Sequence, residues 1–313
     1  MEPDLPGAIL YYAMGGGLGH LTRTLAIADE LGPCVSSVRI LCSSNLTPLV
    51  CASAGHAVDH VAEDSLSSRV SYYGFLSDYI EHHRFSMIIL DTFPFGIVGE
   101  WLTLARDIPR LLIARSLKWD GYADMINVKK TGAGRQHPSR SLVIEPLDAE
   151  YETVLKDNGA VTYLHQPILR HRARHRDTGA SPGLLNRCAI VHSGNEKERN
   201  ELIAYAARLF RERDIVVPID TVFPHQKLYP ADALVSSYRY VVSGAGYNMA
   251  AMASQAGPRS HHFLFPFTRK YDDQHARKKH VESGLWKNIK ADGAEQAARW
   301  IEECITKMPA VSR

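Results

Sequence analysis

The sequence predicts an α/β protein made of two Rossmann-like, doubly wound parallel-sheet domains facing a cleft. Three observations carry this. Short, continuously apolar runs alternate with stretches of helical spacing through the first half of the chain. The alternation breaks across Leu169 to Arg187 and restarts at Cys188. Each half also has a glycine loop where a strand gives way to a helix. At 313 residues, 45% hydrophobic and 22% charged, the chain is long enough to fill two cores.

The elements follow in order. "AILYYAM" (Ala8 to Met14) reads as a strand buried on both faces, and Leu21, Leu25, Ala28 and Leu31 mark the helix after it. "VRILC" (Val38 to Cys42) is the next strand, with a helix expected near Leu46 to Ala54. "SMIILD" (Ser86 to Asp91), "RLLIAR" (Arg110 to Arg115) and "SLVIEP" (Ser141 to Pro146) continue the sheet. "LRHRARHRDTGASPGLLNR" has five arginines and two histidines but little to fill a core, so it reads as a solvated linker. After it come strands at Cys188 to Gly194, Asp214 to Ile219, Tyr238 to Gly246 and His261 to Phe267. Helices are expected at Glu196 to Arg211, near Asp272 to Ser283 and near Gly293 to Lys307. The domains are therefore placed at 1–168 and 188–313, joined by 169–187, with room for the last helix to pack back on the first domain.

Bulk properties narrow the function classes. A formal net charge of +2 gives no reason to expect a nucleic-acid partner. The five cysteines, Cys34, Cys42, Cys51, Cys188 and Cys304, form no CxxC pair, which favours free thiols in a reducing cytoplasm. No basic n-region precedes an apolar stretch, and no apolar run approaches the roughly 20 residues of a membrane helix. Peripheral contact with a membrane surface stays compatible with all of this.

The first loop, "GGGLGH", places Gly15, Gly16, Gly17, Leu18 and Gly19 after a strand and before His20. Glycines there let a ligand approach the backbone, and the following helix offers free N–H groups to an anion. It departs from the dinucleotide fingerprint: position 20 is His, and the second strand ends in Ser43, Ser44 and Asn45 with no acid. The second loop, "VVSGAGYNMAAMASQAGP", ends a strand at Ser243, Gly244, Ala245 and Gly246 and opens a helix at Tyr247 and Asn248.

"GGGLGHLTRTLAIADEL" resembles the N-terminal loop of GT-B glycosyltransferases of the peptidoglycan N-acetylglucosaminyltransferase type. "VVSGAGYNMAAMA" with "FLFPFTRKYDDQHARKKHVESGL" resembles their donor-binding segment. "DTFPFGIVGEW" (Asp91 to Trp101) is similar to a stretch of related predicted glycosyltransferases. The resemblance implies that His20 matches the histidine closing the first loop. It implies that Ser243, Gly244 and Gly246 receive donor phosphates, that Ser193 and Gly194 face the diphosphate, and that Asp273 and Gln274 bind donor-sugar hydroxyls. The family's ribose-binding glutamate is missing: Met252 or Ala250 stands there. A neutral residue removes charge-assisted hydrogen bonds worth about 1.5–3 kcal/mol each.

The expected chemistry is inverting, metal-independent transfer of a sugar from a nucleotide donor, a UDP-sugar, to an acceptor that the sequence does not specify. No DxD motif is present, so neither a metal nor a cofactor is expected, and backbone N–H groups are left to neutralise the diphosphate. His20 is the candidate base because its ordinary pKa lies near neutrality. Packing at a helix start is its structural alternative. Asp91 is a second candidate, as base, as orienter of His20, or as a plain helix cap. Arg115, at a strand's carboxyl end, could meet an acceptor phosphate or pair with a surface acid. Two other readings stay open: an epimerase or hydrolase acting on sugar nucleotides, and a degenerate protein that binds them without turnover.

Overall fold

The computed structural model describes residues 8–32, 35, 37–47, 55–66, 68–128, 137–170, 185–222, 229, 235–287, 289 and 293–307. The chain divides into two compact units. The first comprises Met1–Ile168, Lys270–Asp272 and Asp292–Arg313; the second comprises Leu169–Arg269 and Asp273–Ala291.

Among the described residues, the first unit carries a seven-stranded, all-parallel sheet in the order β3-β2-β1-β4-β5-β6-β7. Its strands are β1 (Ile9–Ala13), β2 (Val38–Cys42), β3 (Ala57–His60), β4 (Met87–Asp91), β5 (Arg110–Ala114), β6 (Arg140–Val143) and β7 (Ala160–Tyr163). β1, β4 and β5 are buried at every position, as a sheet covered on both faces requires. The order turns at β1, whose neighbours are β2 and β4, with Tyr12 opposite both Leu41 and Leu90. This is the switch point at which such sheets bind ligands, beyond the strands' carboxyl ends.

The helices of this unit are α1 (Leu18–Ala28), α2 (Arg69–His83), α3 (Trp119–Met125), α4 (Ala149–Asn158) and, from the far end of the sequence, α8 (Gly293–Lys307). α8 packs on α1, and Gly32 N donates to Glu302 at 2.6 Å. Residues from His20 to Ala28 in α1 are all buried, including Thr22, Arg23 and Thr24.

The second unit holds a four-stranded parallel sheet ordered β11-β10-β8-β9 among its described residues. These are β8 (Leu185–Val191), β9 (Ile219–Val222), β10 (Tyr238–Gly244) and β11 (His261–Phe265). Its helices are α5 (Glu196–Glu212), α6 (Tyr247–Gln255) and α7 (Gln274–Glu282).

Several boundaries differ from the sequence reading. The strand expected at Asp214 to Ile219 starts only at Ile219. Asp214 has φ +53° and Val216 is 91% exposed, so no sheet face is available there, and Pro218 has no N–H to give a ladder. β8 begins at Leu185, inside the stretch read as linker, and ends at Val191; residues 171–184 lie outside the described residues. Most of the helix expected at Leu46 to Ala54, and Cys34 and Cys51, also fall outside them. Cys42, Cys188 and Cys304 are buried free thiols.

The segment "DTFPFGIVGEW" is organised around a buried carboxyl. Glu100 is 0% exposed and accepts from Ile97 N (3.1 Å), Val98 N (2.9 Å) and the Tyr12 hydroxyl. Burial pushes its pKa up to about 7 against those backbone donors. Gly96 sits at φ +86°, and a Cβ there would lie 2.1 Å from the Glu100 carboxyl carbon. Only glycine fits both the turn and the carboxyl beneath it. Among the described residues, no helix is long and apolar enough to cross a membrane.

Candidate active site

In the first unit, β4 ends on Asp91 and α1 brings His20 and Arg23 to it. Asp91 is 0% exposed. Its Oδ2 lies 2.5 Å from His20 Nδ1, and it takes two bonds from Arg23: Nε to Oδ1 at 2.9 Å and a terminal nitrogen to Oδ2 at 2.5 Å. His20 and Arg23 are three residues apart, hence on one face of α1. Of the readings open for Asp91, the helix cap is the one the fold does not support: its carboxylate is taken by these two side chains, and the next turn, at Glu100–Leu102, lies nine residues on.

The electrostatics assign the protons. Burial alone would raise the Asp91 carboxyl, but the Arg23 guanidinium and His20 together outweigh it and hold the group well below the ordinary carboxylate range. An ionised Asp91 only accepts hydrogen bonds, so the proton of neutral His20 sits on Nδ1. Nε2 then carries the lone pair and has no partner among the described residues. Burial lowers the imidazole below its ordinary 6.5; Arg115 and Arg23 push the same way, and Asp91 opposes them without prevailing.

The surroundings fix this geometry. The His20 ring stacks on Phe93 at 5.9 Å between centroids, and Phe93 packs edge-on against Tyr271 at 6.2 Å. A Cβ at Gly15 would lie 2.6 Å from His20 Nε2, so Gly15 is glycine because the ring crosses it. Gly16 and Gly19 have open space where a Cβ would be, and Gly17 meets only a backbone nitrogen at 4.0 Å. Leu18 is the first residue of α1, whose N-cap Gly17 supplies no side-chain bond. Thr92, next to Asp91, holds φ +76°, an outlier for a β-branched residue. Arg115 Nε donates to Thr92 Oγ1 at 2.9 Å, and its terminal nitrogen reaches Asp272 at 3.2 Å.

In the second unit, β10 delivers Ser243 and Gly244 into a turn, with Gly246 as the N-cap of α6 and no side chain capping it. Ala245 N bonds Phe265 O at 2.9 Å, and the buried Arg277 donates to Ala245 O at 3.1 Å. Tyr247 is buried, and Asn248 follows it in the first turn of α6. Asp273 caps α7 through Ala276 N (3.0 Å), and Gln274 Oε1 accepts from Phe267 N (3.1 Å). Both side chains thus brace the loop that carries them. Ala250 is fully buried, and Met252 packs towards the cluster of Val191, Val222 and Val235. Ser193 and Gly194 are exposed at the end of β8, next to His192.

No family model matches the chain, and no curated protein does. Solved structures do. The kitacinnamycin glycosyltransferase aligns over 98% of this chain and 92% of its own at TM-score 0.56 and 16% identity. A Streptomyces glycosyltransferase, SsfS6, complexed with thymidine diphosphate, aligns over 97% and 96% at 0.57 and 11%. The chain has the GT-B fold. The UDP-N-acetylglucosamine 2-epimerase of Rickettsia bellii also aligns, over 96% and 95% at 0.53 and 9%. Identities this low show the fold alone.

Two groups beside this GT-B chain's candidate sites were not singled out from the sequence. Arg23 is a charge in an apolar helix, three residues after His20, and that spacing was its signal. His192 directly follows an apolar strand, one residue before the Ser193–Gly194 turn.

Proposed function

We propose that the protein is an inverting, metal-independent glycosyltransferase that moves a sugar from a nucleotide donor, a UDP-sugar, to an acceptor hydroxyl. The observation that carries the reading is the His20–Asp91 pair, with Nδ1 bound to an ionised carboxylate and Nε2 left as a base. The acceptor O–H proton passes to Nε2 as its oxygen attacks the anomeric carbon. The bond from that carbon to the diphosphate oxygen breaks, and the nucleoside diphosphate leaves with the electron pair. A single displacement inverts the anomeric centre. The open space at Gly16, Gly17 and Gly19 supports the reading, since the protein's own packing does not require glycine there. The Ser243–Gly246 turn and the uncapped start of α6 suit the diphosphate.

The missing ribose acid favours a second reading, a protein that binds sugar nucleotides without turnover. One experiment separates them: release of nucleoside diphosphate from a panel of UDP- and dTDP-sugars, with mixed acceptor alcohols and excess EDTA. The proposal expects release that EDTA leaves unchanged. Loss of release on chelation, restored by magnesium or manganese, would contradict the metal-free mechanism. Binding with no turnover across the panel would favour the second reading.

A further inference from the structure

The geometry points to His192 as the group that meets the donor diphosphate: its Nδ1, protonated as the ligand arrives, donates to a phosphate oxygen at the Gly244–Gly246 turn. This rests on the donor reading of the second unit and goes beyond it by naming a side chain and a proton.

His192 directly follows β8, and the register Ser243 opposite Val191 puts it beside Gly244. Its side chain is only 8% exposed. Nε2 lies 2.8 Å from Glu198 Oε2, and Glu198 is gripped by two nitrogens of Arg269, one of them at 2.9 Å. Gly194 makes this bond possible: a Cβ there would lie 2.2 Å from both His192 Nε2 and Glu198 Oε2. The ring backs on Phe267 at 5.2 Å. Nδ1 lies 3.9 Å from where a Gly244 Cβ would stand and has no partner among the described residues. The buried ring thus aims an unpartnered nitrogen at a turn whose helix, α6, starts uncapped and without an acid in its first turn. Either feature alone would be unremarkable; together they make an anion seat.

The arrangement repeats the first unit's chemistry with the nitrogens exchanged. There an arginine-held carboxylate takes Nδ1 and leaves Nε2; here it takes Nε2 and leaves Nδ1.

The charged groups facing the ring are Glu198 and Arg199 from α5 and Arg269 after β11; the β10–α6 turn adds no charge. Burial lowers the imidazole below its ordinary 6.5, with Arg269 and Arg199 adding and Glu198 opposing. Glu198 is itself held low, first by its bonds from Arg269. The resting ring is therefore neutral, with its proton on Nε2 and a lone pair on Nδ1, which cannot donate to phosphate. Binding must draw a proton from solvent onto Nδ1. In turnover the leaving oxygen keeps the electron pair of the broken bond and accepts this hydrogen bond, and the proton returns to solvent as the diphosphate departs.

The test is calorimetric titration of the full chain with UDP, dTDP and inorganic pyrophosphate, at pH 7.5 and 8.5, in two buffers of different ionisation enthalpy. The terminal phosphate of UDP or dTDP, with its second pKa at about 6, is already ionised there, whereas pyrophosphate still holds a proton in this range, so the proton count is read from the two nucleotides and pyrophosphate reports only whether the bare anion binds. Wild type should take up close to one proton per nucleotide, and Kd should weaken about tenfold per pH unit. His192→Asn should take up none, lose the pH dependence and bind about 10–100-fold more weakly. Glu198→Gln provides a second, milder variant, because Arg269 is partly exposed. It should keep the proton uptake but bind more weakly. Equal Kd and equal proton count in wild type and His192→Asn would overturn the role of His192 while leaving nucleotide binding intact. Wild type binding none of the three ligands would overturn both.

Discussion

His20→Ala is expected to lower kcat by about 10²–10⁴-fold while leaving donor affinity nearly unchanged, the size of a lost general base. Removing the imidazole leaves Asp91 both of its Arg23 bonds, so the fold keeps its buried ion pair and the melting temperature should move little. The wild-type pH profile should agree. The base works only when neutral, so kcat at saturating donor, where the pH dependence of donor binding no longer enters, should rise with pH through one ionisation below 6.5, the direction in which burial shifts His20, and be flat at neutrality. Full kcat in the variant with a lowered Tm would make His20 a packing residue.

Asp91→Asn should cost far more stability than His20→Ala and as much turnover. Arg23 is 0% exposed, and an amide cannot replace the carboxylate that neutralises it. Leaving a buried charge without its partner costs about 3–5 kcal/mol, or roughly 10 °C in Tm for a domain of this size. The amide also removes the anion that keeps the His20 proton on Nδ1. A proton moved to Nε2 takes away the base, with a loss of up to about 10⁴-fold in kcat. The ion pair's contribution follows the sign of the shift. It is complete above the ordinary carboxylate value of 3.8 and is lost only as pH falls through the lower folded value. His20 adds an acid-side loss of its own, since below 6.5 the unfolded chain takes up a proton that the folded chain resists. Thermal melts from pH 2 to 8, alongside turnover at neutral pH, check both effects; an Asp91→Asn protein as stable and active as wild type would remove Asp91 from the mechanism.

What was legible in the sequence follows from how each segment is buried. β1, β4 and β5 stand out as unbroken apolar runs because both faces are covered. The edge strands β3 ("AVDH") and β7 ("AVTY") do not, being mostly exposed or half-buried and too short to alternate clearly. α2 buries only Tyr72 and Leu76, so no apolar stripe announces it. Both His20 and Asp91 could be placed at strand ends, but their contact depends on β1 lying next to β4, a register that no local pattern encodes. Arg115 could be read as a strand-end cation. Its partner Asp272 could not, because it lies 157 positions further along the chain, in the segment Lys270–Asp272 that rejoins the first unit. Asp273 and Gln274 carried a family role by position, whereas their bonds in the fold are a helix cap and a loop brace.

The most direct test of the central claim, that the second unit holds a nucleotide donor, is hydrogen exchange of the full chain with and without UDP. The account expects slowed exchange in peptides covering His192 to Glu198, Ser243 to Asn248 and Gln274. Protection confined to Gly15–Gly19, with those peptides unchanged, would place the nucleotide in the first unit and contradict it.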